Sequence, residues 1–348
     1  MERSAPQPLH IPVRSRLGDG TITGHLLQPE VSPRGVVTIH PATATPERFY
    51  FSFADALVDR GFAVVTYRMR GVGSPAARTN PRLRMSDWIT EDVPAVSAWT
   101  EERFPGLPQF ALGHSLGGHA LLLGFGGERL SGIVTVATHR AATRDIITRT
   151  ERMRVRAILS ALGPALTRLL GYAPGERLGL GEDIPRAALL EWSHWVSRPD
   201  YFFDIPELSA AARMARMLTP VLSVGAADDL WASPGQIDEL VDRLLLAPVE
   251  RRTFNATEFG VRKIGHHGLM RRSVGSGAWP EIIGWLARAA DARAADVQGA
   301  DSQAAGVGPT DSQAARAQTA EAQPEGTQAA RAQEMSALTP HRNARVGT

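Results

Sequence analysis

The chain has 348 residues, 43% of them hydrophobic, and its 38 basic and 36 acidic side chains leave a net charge of +2. That length supports one large α/β domain or two small ones, and the near balance of charge gives no reason to expect a nucleic-acid partner or an anionic membrane. Cysteine is absent, which excludes disulfides, thiolate metal sites and cysteine nucleophiles together.

The first eight residues have no basic region followed by an apolar run, so no secretory signal is expected. No apolar stretch of about 18 residues is present to span a bilayer. A cytoplasmic protein is the expectation. Residues 9–28 alternate apolar and polar around Gly18-Asp-Gly20, the pattern of a β-hairpin. Val36-Val-Thr-Ile39 is a β-branched run suited to a strand buried on both faces. A helix is expected over 46–60, with Tyr50, Phe53, Ala54, Leu57 and Val58 on one face and Gly61 as its stop. Residues 62–67 form another buried strand. A helix over 86–103 follows, with Ser86 as its cap and Asp87, Glu91 and Asp92 in its first turns.

Phe110-Ala-Leu-Gly-His-Ser-Leu-Gly-Gly-His119 is the central stretch: an apolar strand, then Gly113-His-Ser-Leu-Gly117, then a helix start. Gly-x-Ser-x-Gly in that setting is a nucleophile elbow. The sharp turn lifts a serine hydroxyl out of the sheet and sets the next backbone N–H at a helix start, where developing negative charge is favoured. Ser115 is the candidate nucleophile. Residues 131–137 make one more strand. This alternation of strands and helices predicts an α/β fold: a mostly parallel sheet with helices on both faces and the N-terminal hairpin as its antiparallel edge.

From 139 to 217 there is no strand run, only helical pieces near 155–170 and 185–195, the pattern of a helical cap inserted over the strand ends. The sheet resumes at 220–225, with a helix near 234–245, an extended run over 249–254 and a last helix over 279–290. Beyond 291 the composition collapses to Ala, Gln, Gly, Ser, Thr and Arg with short repeats, and 291–348 reads as a disordered tail. The expected organisation is a sheet domain over 1–138 and 218–290, a cap over 139–217 and the tail.

A serine nucleophile needs a base, and the base needs an acid to hold its tautomer. In this kind of sheet the chain order is serine, acid, histidine. Gly225-Ala-Ala-Asp-Asp-Leu230 follows a strand end, and Asp228 is the favoured acid, with Asp229 turned to solvent or to the loop. Lys263-Ile-Gly-His-His-Gly-Leu269 has no helix pattern. His266 is the favoured base there, and His267 a lining or structural group. His114 and His119 are too close to Ser115 in sequence to serve as its base; His40, His139 and His194 have no evident partner.

These motifs, with His40-Pro-Ala-Thr43, Arg48-Phe-Tyr50, Arg70-Gly-Val-Gly73 and the cap segment 169–183, resemble the α/β-hydrolase family over about 36–286. The resemblance is to a bacterial group similar to the monoacylglycerol lipase and serine-aminopeptidase branch. It implies the α/β-hydrolase fold, Ser115 as nucleophile, Asp228 as acid and His266 as base. The oxyanion donors it implies are the backbone N–H groups of Ala42 and Leu116. Where many relatives have His-Gly this chain has His40-Pro41, and proline has no N–H to offer.

Gly71-Val-Gly-Ser-Pro-Ala76 fits a dinucleotide fingerprint in form only, since Pro75 interrupts it. Trp192, Trp195, Tyr201, Phe202 and Phe203 cluster in the cap, where packing is the commoner role and an acyl lining the alternative. Arg149, Arg152 and Arg156 share a helix face that reads as solvated. The expected function is a serine hydrolase acting on a carboxylic ester, thioester or amide of small-molecule size. It would need no metal or organic cofactor. The alternatives are a non-catalytic binding module and an acyltransferase on the same residues.

Overall fold

The structure, a computed structural model, describes residues 5–127 and 129–306. Eight strands form one sheet: β1 (Gln7–Val13), β2 (Gly20–Leu27), β3 (Gly35–His40), β4 (Phe62–Tyr67), β5 (Gln109–His114), β6 (Gly132–Val136), β9 (Val221–Ala226) and β10 (Val249–Phe254). The two remaining strands, β7 (Tyr172–Ala173) and β8 (Ile184–Pro185), pair antiparallel inside the cap. The order across the main sheet is β1-β2-β4-β3-β5-β6-β9-β10. The hairpin β1–β2 is antiparallel and joins β4 antiparallel, while every other pairing is parallel.

The sequence pattern explains this order. The β-branched runs of β3, β4 and β6 are buried along their whole length, as interior parallel strands require. At the edges β1 alternates buried and exposed residues, and β10 turns Glu250 and Arg251 to solvent. Charge on an edge strand discourages further pairing. One apolar cluster covers one face of the sheet beneath the helices Val93–Arg103 and Leu116–Leu122. The other lies beneath Phe51–Val58 and the start of Trp279–Gly306.

Register decides where the loops open. His40 pairs with Gly113, His114 with Val136, Val136 with Val224 and Ala226 with Phe254. The C-terminal ends of β3, β5, β6 and β9 therefore run level, and the loops after them share one edge. Ligand sites of open α/β sheets form at that edge.

Several expected boundaries shift. The helix expected over 46–60 is a 3₁₀ turn at Glu47–Tyr50 followed by a helix at Phe51–Val58. Ser86 does not cap its helix; its N–H and hydroxyl both donate to Glu191 of the cap at 2.8 Å. The segment with His266 and His267, expected as loop, is a helical turn at Gly265–Gly268. The last helix, expected over 279–290, runs from Trp279 to Gly306. The alanine-rich sequence of residues 291–306 has high helix propensity and continues the turn already established. Arg34 also pairs with Asp291 just past the expected stop. Residues 307–348, the rest of the expected tail, lie outside the described residues.

Candidate active site

Ser115 sits at the end of β5 with φ +51° and ψ −108°, a conformation rare for a residue with a side chain. Its N–H donates to Val136 O at 2.9 Å, which fixes the turn against β6. The helix Leu116–Leu122 starts at the next residue. That close return is possible only because residue 117 is glycine: a Cβ there would stand 2.2 Å from His40 O. The Leu116 N–H lies in the first helical turn, where no intrahelical acceptor exists. It has no acceptor among the described residues.

His266 faces the same cavity as Ser115. Its Nδ1–H donates to Asp229 Oδ2 at 2.8 Å. Because a carboxylate only accepts, the proton is on Nδ1 and the lone pair on Nε2. Asp229 Oδ1 accepts from the N–H groups of Trp231 and Ala232 at 2.8 and 3.0 Å. The Asp229 side chain is 1% exposed. Burial alone would raise its pKa, but His266 and the Ala232 N–H outweigh that and hold it below the usual carboxylate range.

The carboxylate that meets His266 is therefore Asp229 and not Asp228, the partner expected from the sequence. Asp228 accepts from Ile264 N–H and Gly265 N–H, both at 2.8 Å. It ties the backbone of the turn that carries His266 to the loop after β9. The two lie in the turn after β9, closed by Asp229 N–H on Ala226 O at 3.2 Å, and one carboxylate holds the backbone while the other holds the ring.

Ala42 also departs from expectation. Its N–H donates to Tyr50 Oη at 2.9 Å, and so it is not free to meet an oxyanion. Tyr50 Oη lies 2.9 Å from His114 Nδ1, and His114 Nε2 lies 3.0 Å from His266 O. A carbonyl can only accept, so His114 carries its proton on Nε2 and Tyr50 O–H donates to Nδ1. The chain Ala42, Tyr50, His114, His266 thus joins the loop after β3, the residue before Ser115 and the backbone of His266. Burial first, then the nearby His267 and His266, push His114 well below the ordinary imidazole value, so the ring is neutral as this chain demands. Sequence reasoning placed Tyr50 on an apolar helix face and missed its hydroxyl; nothing in one sequence marks which buried tyrosine has a partner.

Of the other histidines, His119, His139 and His267 line the cavity. His267 borders it, with Nε2 3.5 Å from Thr45 Oγ1 and its ring edge-on to Phe49. His119 Nε2–H donates to His139 O at 2.6 Å. His139 Nδ1–H donates to Ala137 O at 3.2 Å, and its ring stands edge-on to His266 at 5.6 Å. His40 pairs with Tyr67 Oη at 2.8 Å, and His194 with Arg198 at 3.1 Å.

The cavity has a volume of about 230 Å³ and lies between the loops of the sheet edge and the cap. The cap contributes Val155, Leu159, Leu180, Trp192 and Tyr201 to its wall. The aromatic cluster thus divides: Trp192 and Tyr201 face the cavity, while Trp195 and Phe202 are buried in cap packing. Arg149 and Arg156 are solvent-exposed, and Arg152 donates to Arg144 O. Arg154 instead reaches the cavity, held by Glu151, which also accepts from Trp231 Nε1 at 2.7 Å. The loop of the apparent dinucleotide fingerprint is occupied by the cap, since Gly73 N–H donates to Asp183 O at 2.7 Å.

The chain matches the family model described as serine aminopeptidase, S33, over residues 31–182. No curated protein sequence gives a significant match. Among solved structures it is similar to a soluble variant of the monoglyceride lipase from Saccharomyces cerevisiae, at 15% identity and TM-score 0.56 over 82% of this chain and 95% of that one. It is similar to the monoacylglycerol lipase of Paleococcus ferrophilus at 17% identity and TM-score 0.51, over 82% and 100%. A carboxyl esterase from Bacillus coagulans shares 16% identity at TM-score 0.52, over 82% and 99%. The chain has the fold of these lipases and esterases, and over residues 31–182 it is similar to the serine aminopeptidase, S33, family. No helix among the described residues is long and apolar enough to cross a membrane.

Proposed function

We propose that the protein is a serine hydrolase that cleaves a carboxylic ester through an acyl-enzyme, with Ser115 as nucleophile, His266 as base and Asp229 as the acid that orients it. The observation that carries this reading is the Asp229–His266 pair. With its Nδ1–H given to the carboxylate, the ring keeps its Nε2 lone pair for the hydroxyl of Ser115, which borders the same cavity. The Ser115 hydroxyl has no hydrogen-bond partner among the described residues; catalytic hydrogen bonds commonly tighten only when substrate is bound.

Ser115 Oγ attacks the ester carbonyl carbon as its proton passes to His266 Nε2. Asp229 stabilises the imidazolium that forms. The carbonyl oxygen becomes an oxyanion and accepts from Leu116 N–H. Its second donor, in this reading, is Thr43 N–H, the next backbone donor beyond Ala42. Thr43 borders the cavity, and its N–H has no acceptor among the described residues. Collapse of the intermediate expels the alcohol, which takes the proton from Nε2. Water, deprotonated by the same nitrogen, then attacks the acyl-enzyme, releases the acid and restores Ser115.

The apolar cap wall supports an ester carrying a hydrocarbon group. The names of the structural relatives, monoglyceride lipase and carboxyl esterase, point the same way. A fluorophosphonate probe tests the reading directly. Labelling of the wild type that disappears in Ser115→Ala is the expected result; a folded wild type that takes no label sinks it. A panel of p-nitrophenyl esters of rising chain length, with thioester and anilide analogues, then defines the bond and the acyl group.

A further inference from the structure

Between β7 and β8 the cap sends residues 174–183 down onto the sheet edge, where they meet the loop after β3. Ala44 in that loop is fully buried and holds φ +56°, a left-handed conformation that a residue with a Cβ keeps only when its surroundings impose it. The surroundings here are the cap. Glu182 N–H donates to Ala44 O at 2.7 Å, and the Glu182 carboxylate pairs with Arg48 Nη1 at 2.9 Å. Gly181, at φ +117°, lies so close that a Cβ there would stand 2.3 Å from Ala44 O.

The residue before Ala44 is Thr43. The Ala42–Thr43 peptide has its carbonyl taken by Thr45 N–H at 3.2 Å. In a trans peptide the N–H points the opposite way. Ala42 is fixed from below by Tyr50 and Ala44 from above by Glu182, so the direction of the Thr43 N–H is set from both sides.

We propose that Gly181 and Glu182 of the cap are positioning residues for the oxyanion loop: they hold Ala44 in its left-handed conformation and thereby aim the Thr43 N–H. The inference rests on the reading of Thr43 as an oxyanion donor. It makes the cap a part of the scaffold of the hole as well as a wall of the cavity. An added Cβ at 181 pushes the Ala44 carbonyl away, and a shift of about 1 Å in a catalytic group is enough to cost about 100-fold in rate.

The test uses the full chain and three readouts: kcat and KM on p-nitrophenyl butyrate, the affinity for butylboronic acid, and the rate of fluorophosphonate labelling. The boronate becomes tetrahedral on a serine and so reports the hole. In Gly181→Ala we expect kcat to fall about 100-fold, with KM changed less than about threefold and boronate affinity falling in parallel with kcat. Adding Ala44→Gly should recover about tenfold, because glycine takes the positive φ freely and removes the facing Cβ. Glu182→Gln keeps the N–H and loses only the charge pair with Arg48, and should lower kcat and boronate affinity about threefold to tenfold.

A wild type that binds no boronate and takes no label overturns the oxyanion reading and the latch together. A wild type that does both, while folded Gly181→Ala keeps kcat and boronate affinity within about twofold, overturns the latch alone. If Gly181→Ala does not fold, Glu182→Gln decides: a lower melting temperature with unchanged boronate affinity means that the cap contact only stabilises.

Discussion

His266 Nδ1 lies 2.8 Å from Asp229 Oδ2, while the adjoining carboxylate of Asp228 accepts from the backbone two and one residues before that same histidine. One aspartate fixes the tautomer of the ring, and the other sets the path of the chain that bears it. Asp229→Asn should therefore lower kcat by about 10⁴-fold with little change in KM, since an amide can neither stabilise the imidazolium nor enforce the tautomer. Asp228→Asn retains an acceptor for one N–H and leaves the other unpaired, at about 1–3 kcal/mol of stability. Its kcat should fall far less. Equal losses in the two variants would show that the division of roles is wrong.

Tyr50 Oη joins Ala42 N–H to His114 Nδ1 in a buried chain. Tyr50→Phe strands a donor and an acceptor out of reach of water, and should cost about 2–4 kcal/mol in urea unfolding. His114→Leu removes one of the same bonds. The double variant should therefore lose less than the sum of the singles, by about 1 kcal/mol. Strict additivity would mean that the two side chains do not act as one unit.

Acid should destabilise the fold. Burial holds His40 and His139 down at about 3, with His266 adding to the effect on His139. Burial and the nearby His266 hold His119 and His267 at about 4. In the unfolded chain these rings titrate near 6.5. Between that value and about 4 the unfolded state binds protons that the folded state does not, so stability is fully present above pH 6.5 and is lost as pH falls. Asp92 works the other way: burial pushes it up to about 7 despite the opposing pull of Arg70, and its share of stability is lost as pH rises. Four rings outweigh one carboxyl, so the urea midpoint should drop between pH 7 and 4.5. His139→Gln should flatten the drop; a midpoint constant over that range would contradict the burial of neutral rings.

Leu159 stands in the cap wall of the cavity and is almost fully buried. Leu159→Ala should enlarge the cavity and cost about 2–5 kcal/mol of stability. The p-nitrophenyl ester with the highest kcat/KM should then carry a longer acyl chain than in the wild type. An unchanged chain-length optimum would place the acyl group elsewhere.

The sequence alone determined the layered plan. β-branched runs such as Val36–Ile39 can be buried on both faces only in a parallel sheet between helices, and Gly113-His-Ser-Leu-Gly117 at the end of such a strand folds as a tight turn because local sterics allow little else. That Ser115 and His266 border one cavity was legible for the same reason: each sits in a short motif whose glycines dictate the backbone. The choice between Asp228 and Asp229 could not be made this way. Both follow β9, both are acidic, and only the direction of each side chain across a gap of 37 residues separates them. The engagement of Ala42 N–H by Tyr50 and of Ala44 O by Glu182 was equally hidden. Local pattern fixes which way a strand or a turn runs. Which hydrogen-bonding group meets which across the fold is settled by the packing of distant segments, and that competition for partners exists only once the chain has closed.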